Sequence, residues 1–278
     1  MKNNYLKIKK FNKNNYLKTL RLLENKKVNT VCLSGNCPNR YECFSKSTAT
    51  FMILGDICTR NCKYCNIENK KPEIVNKNEA ENISQVVDKL NLDYVVITSV
   101  TRDDLEDGGA DQFQLTVEKI REKRKSCKIE LLIPDFGGNN LALEKTVNLK
   151  PYVLNHNIET VDELFPKLRP EGNYLRSLSL LKKAKELNNQ IKTKSGIMLG
   201  LGETKKQVLD TLKDLKKSKV EILTIGQYLA PSPKHAKVEK YYTNKEFLVY
   251  KNLAYKMGFK HVQAGFYVRS SYKAKTYE

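Results

Sequence analysis

The sequence predicts an α/β fold: a partial (β/α)6 TIM-like barrel, with N- and C-terminal extensions covering the open mouth. Three observations lead there. Short apolar runs suited to buried parallel strands alternate with segments whose apolar residues recur near a period of 3.6. Six such units fall short of the eight that close a barrel, so the sheet is expected to stay open. The first 45 residues and roughly the last 50 break this rhythm and read as packed extensions. The expected division is therefore 1–45, 46–228 for the partial barrel, and 229–278.

In chain order, strands are expected at 49–54, 94–98, 129–133, 152–154, 194–199 and 222–225. Each is a nearly unbroken apolar run, as befits a strand covered on both faces. Between them, Ala80, Ile83, Val86, Val87 and Leu90 share one helical face, and Val208, Leu212 and Leu215 share another. Polar motifs stand just after strands: TSVTRDD (98–104), NHNIET (155–160) and GLGET (200–204). Parallel α/β folds place their chemistry on such loops. No internal repeat or Gly/Ser-rich linker interrupts the pattern.

A chain of 278 residues buries a sizeable core without disulfide staples, and 40% hydrophobic with 29% charged residues is globular composition. No run approaches eighteen apolar residues, and the first twenty have no apolar centre, so neither a membrane span nor a secretory leader is expected. NNYLK begins at residue 3, which leaves little room for an organelle-targeting peptide, and a cytoplasmic protein is the expectation. Lys and Arg number 50 against 31 Asp and Glu, a formal +19. That balance suits a polyanionic partner, or else reflects a general preference for Lys and Asn seen in NKNN, ENKK and NKNEAEN. The densest patch, REKRKSCK (121–128), reads as one exposed helix end.

The cysteines are the informative residues. Six of the seven lie between 32 and 65, as C-x4-C-x5-C (Cys32, Cys37, Cys43) and C-x3-C-x2-C (Cys58, Cys62, Cys65). Without a leader, clustered cysteines point to metal or redox chemistry rather than disulfides. The three histidines are far from the cluster in sequence, so a Cys/His zinc finger lacks its second half. Two zinc sites of four thiolates each need more cysteines than the chain has. Each triad leaves a centre one ligand short, a defect in a closed structural site but an opening in an iron–sulphur cluster, where the free iron binds a small molecule. The isolated Cys127 reads as a small buried residue.

The second triad, Cys58-Thr-Arg-Asn-Cys62-Lys-Tyr-Cys65, resembles the cluster motif of radical S-adenosylmethionine enzymes, with Tyr64 as its aromatic residue. Further matches narrow the resemblance to the lipoyl synthase family. They are CLSGNCPNRYECF around the first triad, STATFMILGDICTRNCKYC (47–65), YVVITSVTRDDLEDGGA (94–110), IELLIPDFGG (129–138), VLNHNIETV (153–161), TKSGIMLGLGET (193–204), LTIGQYLAPSPKH (223–235) and VRSSY (268–272). They run in order across almost the whole chain. One departure stands at the start, where the family has a tryptophan in a KPxWLK-like segment and this chain has NNYLK.

The resemblance implies insertion of sulphur at C6 and C8 of a protein-bound octanoyl chain. Those C–H bonds are beyond any side-chain base, so a cofactor must supply a radical. It implies two 4Fe-4S clusters and S-adenosylmethionine. One cluster, on Cys58, Cys62 and Cys65, would leave an iron open for S-adenosylmethionine and cleave it to a 5′-deoxyadenosyl radical, with Tyr64 near the adenine. The other, on Cys32, Cys37 and Cys43, would be the auxiliary cluster, consumed as sulphur donor. Its fourth ligand would be a serine of the RSSY motif, by position Ser271 rather than Ser270. Gly200, Gly202 and Glu203 would bring backbone to the cofactor, or form a plain glycine turn before a helix. Arg102, Asp103 and Asp104 could position substrate or cap a turn, and Asn155, His156 and Asn157 could line the mouth. His156 and His235 read as hydrogen-bonded structure.

Implied partners are octanoylated lipoyl carrier domains of 2-oxoacid dehydrogenase complexes and the glycine cleavage H protein. A ferredoxin- or flavodoxin-type electron donor and an iron–sulphur cluster carrier are implied too, with no nucleic acid and no membrane. A positive face could steer docking of an acidic carrier. Two rivals remain at this point: another sulphur-inserting radical enzyme, such as a biotin synthase or tRNA methylthiotransferase, and a zinc module binding nucleic acid.

Overall fold

The computed structural model describes residues 10–277, and the NNYLK segment lies outside them. The first described helix is α1 (Lys13–Asn25), whose N-terminus is capped by the Asn12 side chain accepting from the Asn15 N–H at 3.0 Å. Two short helices follow, α2 (Val31–Ser34) and α3 (Arg40–Ser45). β1 (Thr50–Ile53) opens the main sheet, and a small pair, β2 (Ile57–Cys58) and β3 (Glu68–Asn69), frames the loop of the second triad. Helices and strands then alternate: α4 (Glu79–Lys89), β4 (Tyr94–Ser99), α5 (Ala110–Lys123), β5 (Lys128–Leu132), α6 (Asn140–Asn148), β6 (Val153–Asn155), α7 (Phe165–Leu168) and α8 (Tyr174–Leu187). After these come β7 (Lys192–Leu199), α9 (Lys205–Lys217), β8 (Ile222–Gln227), α10 (Asn244–Lys256) and β9 (His261–Gly265).

The main sheet has seven parallel strands in the order β1-β4-β5-β6-β7-β8-β9. All six strands expected from sequence are present, each within two residues of its expected bounds. The seventh, β9, is contributed by the C-terminal stretch and pairs with β8. It gives no apolar signal because Val262 alone of its five residues is buried. Capping boxes start the helices that flank β8: Thr204 with Gln207 for α9, and Thr243 with Glu246 for α10.

The strands are buried on both faces, as parallel packing demands. In β4, Val95 and Ile97 join the main core with Ile83 and Val87 of α4 and Val117 of α5. Tyr94 and Val96 gather instead with Val153, Ile222 and Ala274 inside the barrel. Beside them lies an ion pair sealed from water, Lys194 Nζ to Glu130 Oε1 at 2.8 Å, both side chains 0% exposed. Tyr94 donates its hydroxyl to Glu130 Oε2 at 2.8 Å and Asn155 Nδ2 donates to Oε1 at 2.9 Å. These bonds replace the water that both charges lose on burial.

The extensions meet over the gap between β1 and β9. The outer edge of β1 is taken by the N-terminal stretch: Met52 donates its N–H to the Asn29 carbonyl at 2.9 Å, and Thr30 bridges Phe51 in antiparallel fashion. The chain leaving β9 is tied to the same stretch, Asn39 Nδ2 donating to the Tyr267 carbonyl at 2.7 Å and the Tyr272 hydroxyl to Glu42 Oε2 at 3.0 Å. Among the described residues, no helix is long and apolar enough to cross a membrane.

The interior pair generates a test. Lys194→Met leaves Glu130 as an uncompensated buried carboxylate and is expected to cost about 3–5 kcal/mol in urea unfolding. Adding Glu130→Gln should restore most of that loss. A double variant as unstable as the single one would show that the charge is not the cause.

Candidate functional site

The second triad hangs from a strained turn. Leu54 takes a left-handed conformation (φ 69°) followed by Gly55 (φ 84°), and a left-handed leucine costs on the order of 1 kcal/mol or more. The buried Glu79 holds the turn, accepting from the N–H groups of Leu54 at 2.8 Å and Gly55 at 3.1 Å, while Gln112 Nε2 donates to it at 2.8 Å. Gly109 leaves room for the Leu54 side chain, since a Cβ there would stand 2.2 Å from Leu54 Cδ1.

Arg60, inside the Cys58–Cys62 loop, ties that loop to the barrel mouth. Its guanidinium donates to Asp103 through Nε and Nη2, both at 2.7 Å, and Nη2 also pairs with Asp135 Oδ1 at 2.8 Å. Arg176 holds the other oxygen of Asp135 at 2.8 Å. Burial pushes the Asp135 carboxyl up, but the hydrogen bond and charge of Arg60, with Arg176, hold it well below the usual carboxylate range. The backbone N–H of Arg60 points at Cys58 Sγ, 3.4 Å away. At the far end of the triad, His235 donates from Nε2 to the Cys65 carbonyl at 3.0 Å and accepts the Ser232 hydroxyl on Nδ1 at 2.9 Å. So Asp103 anchors the loop, whereas Arg102 and Asp104 pair with each other.

The first triad is built on α2, α3 and the link between them. Cys32 sits on α2, the chain turns through left-handed Asn36 (φ 47°), and Cys37 donates its N–H to the Cys32 carbonyl at 3.1 Å. Asparagine is one of the few residues that tolerates such a turn. Cys43 lies on α3, whose first turn bonds the Cys43 N–H to the Asn39 carbonyl at 2.9 Å.

Both triads reach one cavity of about 470 Å³. Its walls carry Cys32, Cys37 and Cys43 from the first triad and Tyr64 and Cys65 from the second. Glu159 and the Arg269-Ser270-Ser271-Tyr272 stretch complete the polar side, with Val31, Met198, Tyr228, Leu229 and Pro231 among the apolar groups. Ser270 and Ser271 line it equally. Cys58 and Cys62 neighbour Cys65 and are not part of the lining.

All seven cysteines are free thiols. Burial pushes Cys32, Cys43 and Cys65 each up to about 12, and neighbouring thiols of the same triad add to the rise. Burial also raises Cys62, opposed by the charge of Arg169 and by Tyr64. Thiols held this high ionise when a cation replaces their protons, which is how metal binding couples to deprotonation. Among the described residues, no three Cys, His, Asp or Glu side chains converge on a point as one ion requires. The donor set of each triad, three free thiols, fits an iron–sulphur group.

Other motif residues fall elsewhere. Gly200, Gly202 and Glu203 lie outside the cavity lining. Glu203 accepts from the Gly200 N–H at 2.7 Å, the Leu201 N–H at 2.9 Å and the Tyr242 hydroxyl at 2.9 Å, so it is spent on its own turn. Both glycines are left-handed (φ 109°), and at Gly200 a Cβ would meet Gln227 Nε2 at 2.3 Å. Three contributors lie inside the quoted motifs but are not singled out by sequence alone. Glu159, left-handed at φ 68° and bonded by Asn157 Nδ2 at 3.0 Å, lines the cavity. Gly226 lets the C-terminal chain cross β8, since a Cβ there would stand 2.2 Å from the Val268 carbonyl oxygen. Arg269 stands beside Cys37.

A radical SAM superfamily model matches residues 52–215. Among curated proteins, the chain is 53% identical to a lipoyl synthase of Caldicellulosiruptor saccharolyticus over 88% of this chain and 86% of that one. It is 47% identical to a lipoyl synthase of Wigglesworthia glossinidia brevipalpis over 99% and 87%. Among solved structures, methylornithine synthase superposes with a TM-score of 0.56 at 14% identity, covering 92% of this chain and 83% of that one. The FeFe-hydrogenase maturase of Carboxydothermus hydrogenoformans gives 0.56 at 14% identity over 90% and 70%. At that identity the two structures speak for the fold alone.

His156, at the end of β6, is buried, donates from Nδ1 to the Ile133 carbonyl at 2.9 Å and accepts the Ser177 hydroxyl on Nε2 at 3.0 Å. Burial lowers its pKa from 6.5 to about 4. Below pH 6.5 the unfolded chain takes up a proton that the folded one refuses, so stability falls with pH until about 4. That window is worth roughly 3 kcal/mol. His156→Gln is expected to flatten the urea-midpoint profile over it. An equal slope in both proteins would refute the assignment.

Proposed function

The chain belongs to the lipoyl synthase family of radical S-adenosylmethionine enzymes, and from that membership we propose how its residues share the reaction. The enzyme inserts sulphur at C6 and C8 of an octanoyl group carried on a protein, and it uses S-adenosylmethionine and 4Fe-4S chemistry. One observation carries the proposal: thiols of both triads line one cavity.

Cys58, Cys62 and Cys65 hold the cluster that binds S-adenosylmethionine, and Cys32, Cys37 and Cys43 hold a second one. When bound, these groups supply hydrogen-atom removal from unactivated carbon, and sulphur to replace the hydrogen, chemistry that no side chain provides. The protein's own part is position and exclusion of water. Arg60 and His235 fix the loop of the first-named cluster from its two ends. Tyr64, half-buried beside Cys62, lines that side of the cavity. Val31, Tyr228, Leu229 and Pro231 give the octanoyl chain an apolar wall. Ser271 would complete the second ligand set, as a hard alkoxide oxygen less well matched to iron–sulphur iron than the three thiolates.

The octanoylated substrates are lipoyl carrier domains of 2-oxoacid dehydrogenase complexes and the glycine cleavage H protein. A ferredoxin- or flavodoxin-type protein supplies electrons, a cluster carrier rebuilds the second centre, and the reaction takes place in the cytoplasm.

The test is mass spectrometry of an octanoyl-lysine peptide after anaerobic incubation with reconstituted enzyme, S-adenosylmethionine and reductant. Gain of two sulphur atoms with release of deoxyadenosine is expected. Replacing Cys32, Cys37 and Cys43 by Ala should lower iron from about eight to about four per chain and give deoxyadenosine without sulphur. Replacing Cys58, Cys62 and Cys65 should abolish both products. Sulphur insertion that survives loss of the first triad would overturn the division of roles.

A further inference from the structure

The cavity holds a cation that the scheme above does not use. Arg269 lines it, on the strap that leaves β9 and crosses the inner face of β8. The strap is fixed on both sides of this residue. Asn39 Nδ2 donates to the Tyr267 carbonyl at 2.7 Å, and the Tyr272 hydroxyl donates to Glu42 at 3.0 Å. Gly226 admits the crossing, its missing Cβ leaving space for the Val268 carbonyl and for Arg269 Nη1. Arg269 is therefore held in place by contacts on both sides of the strap and from β8 beneath it.

What it lacks is a counter-ion. Arg60 and Arg102, in loops at the barrel mouth, and Arg176, in the first turn of α8, each pair with a carboxylate. Arg269 makes no ion pair among the described residues. Its hydrogen bonds run from Nη1 alone, to the carbonyls of Val268 at 2.7 Å and Phe266 at 3.4 Å. An arginine has five N–H donors, so the three on Nε and Nη2 stay unspent. Arg269 is half-buried, and its unspent donors are not sealed but stand open toward the cavity that the residue lines. The ionisable group facing it is Cys37, the middle thiol of the first triad. Those open donors suit an anion in the cavity, and the first triad is where one would be held.

We infer that Arg269 is the electrostatic partner of the group bound by Cys32, Cys37 and Cys43, donating hydrogen bonds to its sulphur atoms and offsetting its negative charge. The inference rests on the reading of that triad as a cluster ligand set. Charge and hydrogen bonds to sulphur are what tune the potential of iron–sulphur centres. A positive charge stabilises the reduced form, so Arg269 raises the potential of this centre and helps retain it. The residue acts by position and charge, beside the serines that follow it on the same strap.

The test uses the full chain carrying Cys58→Ala, Cys62→Ala and Cys65→Ala, so that only the first triad binds iron. Iron, acid-labile sulphide and the midpoint potential are measured in this parent, in Arg269→Gln and in Arg269→Lys, with circular dichroism to confirm folding. A parent without a cluster would refute the ligand-set reading itself. With the parent loaded, Arg269→Gln is expected to lower the midpoint or lose the cluster, while Arg269→Lys, which keeps the charge, stays close to the parent. An unchanged or raised midpoint in a loaded Arg269→Gln protein would overturn the inference. Loss of the cluster in both variants would overturn it too, because the residue would then serve the strap's geometry and not its charge.

Discussion

The seven-stranded sheet does not close, and the edges of β1 and β9 leave backbone groups that must be covered. How they are covered decides where the chemistry sits. The N-terminal stretch pairs along β1 through Asn29 and Thr30, and this brings α2 and α3, with three cysteines, to the gap. The chain leaving β9 fills the rest and ties back to Asn39 and Glu42. A barrel closed by its own strands would have no place for a second set of thiols facing the first. The open edge is thus the condition for bringing both cysteine triads to one cavity.

Within that frame, the opposing pressures are desolvation and charge. Buried thiols at about 12 are poor anions, and only a bound cation makes them ligands. Asp135 shows the reverse balance, a buried carboxylate kept ionised by two arginines, one of which belongs to the cysteine loop. The same ion pair that stabilises the barrel mouth therefore positions the cysteine loop. Further down the barrel, Glu130 and Lys194 repeat the device with no link to the site, using Tyr94 and Asn155 to complete the carboxylate's hydrogen bonds.

Much of this is legible in the sequence, for physical reasons. Strands buried on both faces leave unbroken apolar runs, which is why β1 and β4 to β8 can be read directly and β9, with one buried residue, cannot. Cysteine spacing is local, so both triads are visible without a structure. Contacts between distant segments are not. Glu79 acts on a turn 25 residues away, Arg60 on carboxylates 43 and 75 positions later, and Gly226 on a strap that reaches it only after α10 and β9. Glu203 is a case where sequence leaves two readings equal, and three hydrogen bonds to its own turn and Tyr242 account for its carboxylate. The serine pair is a case where the structure adds placement without choosing, since both hydroxyl-bearing residues line the cavity.

The central claim is that one cavity serves two iron centres held by separate triads. Diffraction from anaerobically reconstituted crystals, recorded on both sides of the iron absorption edge, tests it most directly. The account predicts two separate iron peaks on the walls of the same cavity, one at Cys32, Cys37 and Cys43 and one at Cys58, Cys62 and Cys65. A single iron peak, or a first triad wrapped around one zinc ion away from the cavity, would contradict it.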